Sequence, residues 1–357
     1  MKRKLSETDL QPALISGLFL SAGGSGVDSM LERHDLAGQL ALGLAEVELV
    51  SLDELADDAI IITSTSVGAP GYAEPRLALR DYAEAANRLA AEIGIKPAGV
   101  ICGHVPGINA WLVAATLGIP YVDAAANGRG HPTVEMGGMG LASRPDIPII
   151  QVCSSGGQTN GSPINVVAKG DILSTSGLMR QASILNGGLI AAARGPMTAS
   201  FVRANGAAGA ITFQIELGHA MLSAKGAGRV QKTVDFVKGE LLAAGKVVSN
   251  DVSYDAGFDV GRVVVRQGAS DITLGVYNEF MFADRDGQRV ATFPDHVGSL
   301  DLRTGDPIAI SRMTVGREVA IISAHRSNLP VGKGALDPAV FPKVEKALGA
   351  TLLAYLQ

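Results

Sequence analysis

The segment from residue 97 to residue 136 has the spacing of one strand–helix–strand unit. Residues 97–102 form an apolar run that predicts a buried strand, and residues 110–117 predict a helix that ends at Gly118. The apolar residues 119–122 predict the next strand. In open α/β sheets the ligand crevice lies outside the carboxyl ends of the strands, so this unit predicts a cleft where its two strands end.

Polar side chains concentrate at both strand ends, among glycine and proline residues that do not build a core. They are His104 and Asn109 after the first strand, and Asp123, Arg129, His131 and Glu135 at and after the end of the second. Because such groups can move protons, bind a metal or orient a ligand, a binding or catalytic site is the economical interpretation. A pair of solvated loops is the alternative.

These residue types suit hydrolytic attack on a carbonyl or thiocarbonyl group. Asp123 and Glu135 would move protons, while His104 and His131 would polarise the carbonyl or bind a divalent metal such as Zn. The spacing is not that of a known metal motif, because a proline interrupts the segment that would carry the ligands.

A metal-free site is the second interpretation of the same residues. Asp123 or Glu135 would then act as the base, and Arg129 would hold an anionic group of the substrate. Asn109 would help to orient the ligand in either scheme. The sequence alone therefore leaves the cofactor unknown.

Length and composition restrict the class of protein. The 357 residues suit one large or two ordinary domains, and with 47% hydrophobic but only 4% aromatic residues the core must be aliphatic. A net charge of −5 without a basic run argues against nucleic acid and anionic membranes as partners. Two cysteines exclude a disulfide scaffold, and no run reaches the length of a membrane helix, so a cytoplasmic protein is expected.

The same composition predicts self-association. Mean hydropathy is positive at +0.24 and only 18% of the residues are charged. Apolar surface in excess of one core is commonly buried in symmetric oligomers, so we expect a homo-oligomer that acts on a small molecule.

A glycine-rich turn near the N-terminus is a second candidate ligand contact. A helix predicted over residues 6–20 runs into Gly23, Gly24 and Ser25, and another helix is predicted over residues 29–44. Such a turn could hold an anionic group with its backbone N–H groups, or it could be purely structural. The turn does not match a dinucleotide fingerprint, because the segment before it is helical.

Strands and helices alternate in the first half of the chain, and short strands dominate the end of the second. The pattern predicts an α/β fold with a mainly parallel, helix-flanked sheet over residues 1–165 and a β-rich, α+β domain over residues 166–357. Within the second part, helices are predicted over residues 179–193 and 198–204, and a final helix over residues 338–356.

Asn278 and Glu279 form a polar pair after a predicted strand of the second domain. A hydrogen-bonded structural lock in a hairpin is one interpretation. A contribution to a site between the domains is the other.

Taken in order along the chain, these motifs resemble one family, the S-methyl-thiohydantoin desulfurase-like proteins. The resemblance covers the turn at residues 21–28, Gly68-Ala69-Pro70, Asn109, Gly118-Ile119-Pro120, Asp123, Gly128-Arg129, Pro132, Met136, Gly257-Phe258, Gly261, Asn278-Glu279, Asp286-Gly287, Phe293-Pro294-Asp295 and residues 304–308. It implies an N-terminal α/β domain joined to a β-rich C-terminal domain, and a link to the catabolism of hydantoin-type rings.

The chain departs from the pattern of that family at three positions near the predicted site. His104 stands where the family usually has Glu, Ala125 where it usually repeats an acid, and Thr133 where it has Glu after proline. Three acids are thus absent, whereas His104 and His131 are present.

The resemblance and the polar clusters together predict a hydrolase-type enzyme that acts on a small cyclic amide or thioamide. Asp123, Glu135, His131 and His104 would be catalytic, and Arg129, Asn109, Gly23, Gly24, Ser25, Asn278 and Glu279 would bind the substrate. Two alternatives remain open, a non-catalytic binding or regulatory subunit that kept the cleft, and a nucleotide-dependent enzyme that uses the glycine-rich turn.

Overall fold

The chain folds into two sheets with helices packed on them. The computed structural model describes residues 2–24, 33–69, 76–155 and 163–356. In the described residues the helices are α1 (Glu7–Leu20), α2 (His34–Leu44), α3 (Arg80–Ile93), α4 (Asn109–Leu117), α5 (Ile172–Leu185), α6 (Ala199–Asn205), α7 (Ala210–Leu222), α8 (Ala227–Phe236) and α9 (Phe341–Leu348). The first sheet contains β1 (Lys2–Lys4), β2 (Glu48–Val50), β3 (Ile60–Gly68), β4 (Gly99–His104), β5 (Tyr121–Asn127), β6 (Ile149–Ser154), β7 (Asn165–Gly170), β8 (Leu189–Thr198) and β9 (Ala207–Ala208). The second contains β10 (Glu240–Asn250), β11 (Ser253–Asp255), β12 (Phe258–Gln267), β13 (Ser270–Tyr277), β14 (Glu279–Arg285), β15 (Gln288–Thr292), β16 (His296–Asp301) and β17 (Glu318–Ala324).

The first sheet is parallel only in part. Its order is β1-β2-β5-β4-β3-β8-β6-β7, with β9 paired to β5. Strands β2, β5, β4 and β3 run parallel, as the alternation of strands and helices predicted, whereas β8, β6, β7, β1 and β9 pair antiparallel. The expectation of a mainly parallel sheet is thus met by the central strands alone. A parallel neighbour needs a crossover of about a dozen residues or more, and the sequence leaves only the ten residues 155–164 between β6 and β7.

The helix predicted over residues 179–193 is wrong at its end, because residues 189–193 belong to strand β8. Helix α5 ends at Leu185, and Gly187 and Gly188 then take φ values of +84° and +96°. The following run, Leu189 to Ala193, is buried within the sheet between β3 and β6. Alanine favours helix in isolation, but here strand pairing overrides that preference.

Two apolar layers cover the faces of the first sheet. On one face Leu89 of α3 and Trp111 of α4 belong to the same buried cluster as Val100 of β4. On the other face Ile101 belongs to a cluster that includes Phe293 of the second part of the chain. The second domain therefore closes one face of the first sheet.

The second sheet is antiparallel throughout and confirms the β-rich second domain. Its order is β15-β14-β13-β12-β10-β17-β16, with β11 paired to β12. The first sheet continues past residue 165 to β9, and the domain boundary at residue 165 stays a prediction.

The final helix is shorter than predicted. Helix α9 ends at Leu348, because Gly349 takes a φ of +59°. A short 3-10 helix, Leu353–Tyr355, then closes the described chain. Among residues 2–24, 33–69, 76–155 and 163–356, no helix has both the length and the apolar character that crossing a bilayer requires.

Two helical glycines give a matched test of the α1–α7 contact. A Cβ on Gly218 of α7 would overlap the backbone of Pro12 in α1, whereas a Cβ on Gly177 of α5 would meet no atom within 4 Å. We expect Gly218→Ala to lower the free energy of unfolding by about 1–3 kcal/mol through overpacking. Gly177→Ala should raise it by about 0.5–1 kcal/mol, because alanine loses less entropy in a helix. Urea denaturation measures both, and equal shifts in the two variants would contradict the packing of α7 on α1.

Candidate active site

A polar cavity opens where β3 and β4 end, beneath the β13–β14 hairpin of the second domain. The space not occupied by atoms is about 500 Å³, including the part that opens to solvent. Its lining consists of Thr65, Ser66, Val67, Gly68, His104, His131, Pro132, Thr133, Val134, Arg180, Leu189, Arg194, Asn278 and Glu279. The part of it that a water-sized molecule can occupy is about 40 Å³, which is room for a few water molecules, so a larger ligand would extend into the open side.

Close approach of β3 and β4 shapes the floor of the cavity. A Cβ on Gly103 would overlap the side chain of Thr65 on the neighbouring strand. His104 is the last residue of β4, and Gly107 turns the chain into α4 with a φ of +58°. The cavity thus lies at the end of the first strand of the predicted unit and beside the end of β3, and no residue of β5, the second strand of that unit, lines it.

The rings of His104 and His131 are in edge-to-face contact in the lining of the cavity. Their ring centroids lie 5.2 Å apart, with an interplanar angle of 78°. His131 Nδ1 lies 2.9 Å from the carbonyl oxygen of Thr133, and its Nε2 lies 3.4 Å from that of Gly103. The shorter contact favours the tautomer with the proton on Nδ1, in which the Nε2 lone pair lies 3.4 Å from the carbonyl oxygen of Gly103.

Burial lowers the pKa of His131 well below the usual imidazole value, and the charges of His104 and Arg194 lower it further. His131 is therefore neutral at neutral pH and can accept a proton. His104 Nδ1 lies 2.7 Å from the carbonyl oxygen of Val105. The described residues contain no group of three or more His, Cys, Asp or Glu side chains arranged to hold a metal ion, so they do not complete the predicted site at His104 and His131.

Two arginines that sequence reasoning missed line the same cavity. Arg180 of α5 donates from Nη1 to the carbonyl oxygens of Gly68 (2.6 Å) and Gly257 (3.1 Å), and from Nη2 to that of Pro132 (3.0 Å). It also lies over the ring of Phe258, 4.1 Å from the centroid. Arg180 therefore joins the two domains at the edge of the cavity.

Arg194 of β8 is only 2% exposed and donates one hydrogen bond in the described residues, from Nη1 to the carbonyl oxygen of Val134 at 2.9 Å. The sequence feature that could have pointed to Arg194 was a single charged residue directly after the apolar run at residues 189–193. A helical interpretation of that run gave Arg194 no defined orientation, whereas a strand places it beside β3 and β6.

The hairpin residue Asn278 forms the predicted hydrogen-bonded lock and also lines the cavity. Its Oδ1 accepts from the Asp259 N–H at 2.9 Å, which locks the turn at a φ of +60°. Its Nδ2 lies 3.3 Å from the carbonyl oxygens of Gly68 and Pro132 in the first domain. Next to it, Glu279 lines the cavity, and its negative charge offsets part of the lowering of the pKa that burial causes in Arg129 and Arg180.

Arg129, predicted to hold the substrate, lies instead in the domain interface and does not line the cavity. Its Nε donates to Gly130, its Nη1 to Asp295 and its Nη2 to Phe280, each time to a backbone carbonyl oxygen at 2.6–3.1 Å. The guanidinium also lies 4.7 Å from the centroid of the Phe293 ring. Burial lowers the pKa of Arg129 to about 10.

Asp123 lies within β5, not at its end as predicted, and holds the N-terminus of α7. Its Oδ1 accepts from the backbone N–H groups of Ile211 and Thr212 at 3.0 Å, and its Oδ2 accepts from the Thr212 hydroxyl at 2.6 Å. His104 pairs in register with Asn127, four residues further along β5. At a rise of about 3.3 Å per residue, Asp123 is about 13 Å from that position along the strand.

The other predicted residues lie around the cavity without lining it. Glu135 is half-buried, and its charge offsets part of the lowering of the pKa that burial causes in Arg180 and Arg194. Asn109 is buried at the first position of α4.

The glycine-rich turn packs against the second domain. A Cβ on Gly23 would lie 2.7 Å from Ile310 and Phe280, and a Cβ on Gly24 would lie 2.8 Å from Glu279 Oε1. These contacts explain the glycines by close approach. Ser25, the third predicted residue of the turn, lies outside the described residues.

Two family models match the chain over most of its length. They are the S-Me-THD-like N-terminal domain, over residues 8–162, and the S-Me-THD-like C-terminal domain, over residues 171–337. The comparison with curated proteins finds no match. A crystal structure of a protein from Chromobacterium violaceum is similar with a TM-score of 0.71 and 23% identity, over 99% of this chain and 98% of that one. At that identity the likeness shows the fold alone.

The hydrogen bonds of Asp123 predict a defect in stability. Asp123→Asn removes the charge at the N-terminus of α7 and one acceptor, so we expect the free energy of unfolding to fall by about 1–3 kcal/mol. Thr212→Ser keeps the hydroxyl and should change it by no more than about 0.5 kcal/mol. Urea denaturation measures both variants. Wild-type stability in Asp123→Asn with loss of turnover would instead support the catalytic role predicted from the sequence.

Proposed function

The chain belongs to the S-Me-THD-like family, and we propose that it is a hydrolase-type enzyme that opens a small cyclic amide or thioamide of the hydantoin or thiohydantoin type. The reaction would take place in the cavity that contains His104 and His131. The observation that carries the proposal is the neutral His131 ring, facing a second imidazole inside a small polar cavity. A neutral imidazole within reach of the substrate can act as a general base.

The two imidazoles would divide the proton transfers. His131 would take a proton from water at Nε2 while the water oxygen bonds to the ring carbon. His104 would carry the other proton and give it to the leaving nitrogen or sulfur as its bond to that carbon breaks. A proton on His104 disfavours a second one on His131, which keeps the base neutral.

This division replaces the roles first expected for the carboxylates. Asp123 is engaged by the N-terminus of α7, and Glu135 does not line the cavity. His104 stands where the family usually carries an acid. Its imidazole would thus give the proton to the leaving atom.

Removal of His131 should abolish ring opening. We expect His131→Asn to lower kcat by about 100-fold to 10,000-fold, the usual contribution of a general base. His219→Gln is the matched control, because His219 is an exposed histidine on α7. The assay uses a panel of hydantoins and thiohydantoins with detection of ammonia, sulfide and the opened ring, and thermal denaturation checks that each variant folds.

Two outcomes of that assay would reject the proposal. Tight binding of one ring without any turnover would favour a non-catalytic binding subunit. Turnover that survives in His131→Asn would place the base elsewhere.

The pH dependence of the rate should reflect the lowered pKa of His131. The neutral ring is the active form, so kcat/KM should fall as pH drops through the pKa of His131 in the folded protein. Because that pKa is well below the usual value, the acid limb should lie below about pH 6.5. A pH–rate profile tests this, and an acid limb at or above the usual imidazole value would contradict a buried base.

A further inference from the structure

Arg194 is a buried cation with most of its hydrogen-bonding capacity unused. Its side chain is 2% exposed, and Nη1 donates to the carbonyl oxygen of Val134. Its Nε is buried without a hydrogen-bond partner in the part of the chain that the structure describes. Nor does Nη2 donate to any described residue, so the side of the guanidinium formed by Nε and Nη2 is unpaired.

Two other buried arginines of this region, Arg129 and Arg180, use more of their N–H groups in hydrogen bonds than Arg194 does. Arg129 and Arg180 each donate to three backbone carbonyl oxygens and each lie over an aromatic ring. Their contacts hold the domains together and account for their burial. The contacts of Arg194 among the described residues do not account for its burial.

A guanidinium keeps its proton at neutral pH even when buried, so Arg194 brings a positive charge into the lining of the cavity. Burial lowers its pKa to about 10, and the negative charge of Glu135 offsets only part of this cost. Glu279, which also lines the cavity, lies close enough to Arg129 and Arg180 to favour their charged forms. A buried charge without a partner is unfavourable, and an anion on the unpaired side would relieve the cost.

The position of Arg194 places such an anion next to the proposed base. Arg194 pairs in register with Thr63 of β3 and Gln151 of β6, so two neighbouring strands fix its backbone. A Cβ on Gly137 would lie 2.6 Å from His131 Nε2 and 3.4 Å from Arg194 Nη2. The imidazole of His131 therefore packs directly on Gly137, close to Arg194 Nη2.

We infer that the molecule bound in this cavity carries an anionic group, a carboxylate or a group of equal charge and geometry, which Arg194 binds while the ring lies beside the paired imidazoles of His131 and His104. A carboxylate oxygen can accept a charge-assisted N–H bond from Nη2, whereas Nε is too deeply buried for a ligand in the cavity to reach. The inference rests on the proposed function for the identity of the ring, and on Arg194 alone for the charge. It moves the anion-binding role predicted for Arg129 to Arg194.

The test compares one acid with its neutral counterpart. Hydantoin-5-acetic acid and its primary amide have nearly the same shape and differ in charge. By calorimetry we expect the wild-type protein to bind the acid about 10-fold to 100-fold more tightly, the usual advantage of a charge-assisted hydrogen bond. Arg194→Gln should remove this preference, and Arg194→Lys should keep part of it. Arg88→Gln, which changes an exposed arginine of α3, should keep all of it.

The comparison of the two ligands needs only the wild-type protein, so it is decisive even if Arg194→Gln does not fold. Equal affinity for acid and amide would overturn the inference and indicate that Arg194 contacts a neutral carbonyl. No binding of either compound would overturn it as well.

Ring opening measured on the same two compounds separates the two claims. Preferred binding of the acid without ring opening supports the anion site and rejects the hydrolase. Ring opening of both compounds with equal kcat/KM supports the hydrolase and rejects the anion site.

Discussion

Hydrogen bonds from buried guanidinium groups to backbone carbonyl oxygens hold the two domains together. Arg180 reaches Gly68 and Pro132 in the first domain and Gly257 in the second. Arg129 reaches Asp295 and Phe280 from the opposite direction. A guanidinium can make several such bonds in fixed directions, so each arginine fixes the relative position of two loops. The walls of the cavity depend on these loops.

The interface also sets the electrostatics of the cavity. Glu279 enters it from the β13–β14 hairpin and lies near Arg129 and Arg180, so its charge is offset at the interface. Arg194 comes from the first sheet and makes none of these contacts between domains. The separation leaves one cation facing the ligand space next to a neutral imidazole, an arrangement suited to binding an anion close to a base.

Sequence patterns predicted the location of the cavity better than the role of each side chain. The rule that ligands bind beyond strand ends predicted His104 and His131, and both line the cavity. The same rule failed for Asp123, because the strand continues to Asn127 and the carboxylate caps a distant helix. It also missed Arg194, because an alanine-rich run gives no reliable choice between helix and strand.

The amino-acid sequence by itself determined the local elements of this protein: the strand–helix–strand unit at residues 97–127, the turns at glycines with positive φ, and an aliphatic core divided between an α/β and a β-rich part. These features depend on neighbours within a few residues. The tertiary structure decided which polar groups serve the fold and which face the cavity. Asp123 meets Thr212 across 89 positions of sequence, and Arg129 meets Asp295 across 166. A buried polar side chain is used by whichever partner the fold brings within hydrogen-bond distance, and no local pattern encodes that partner.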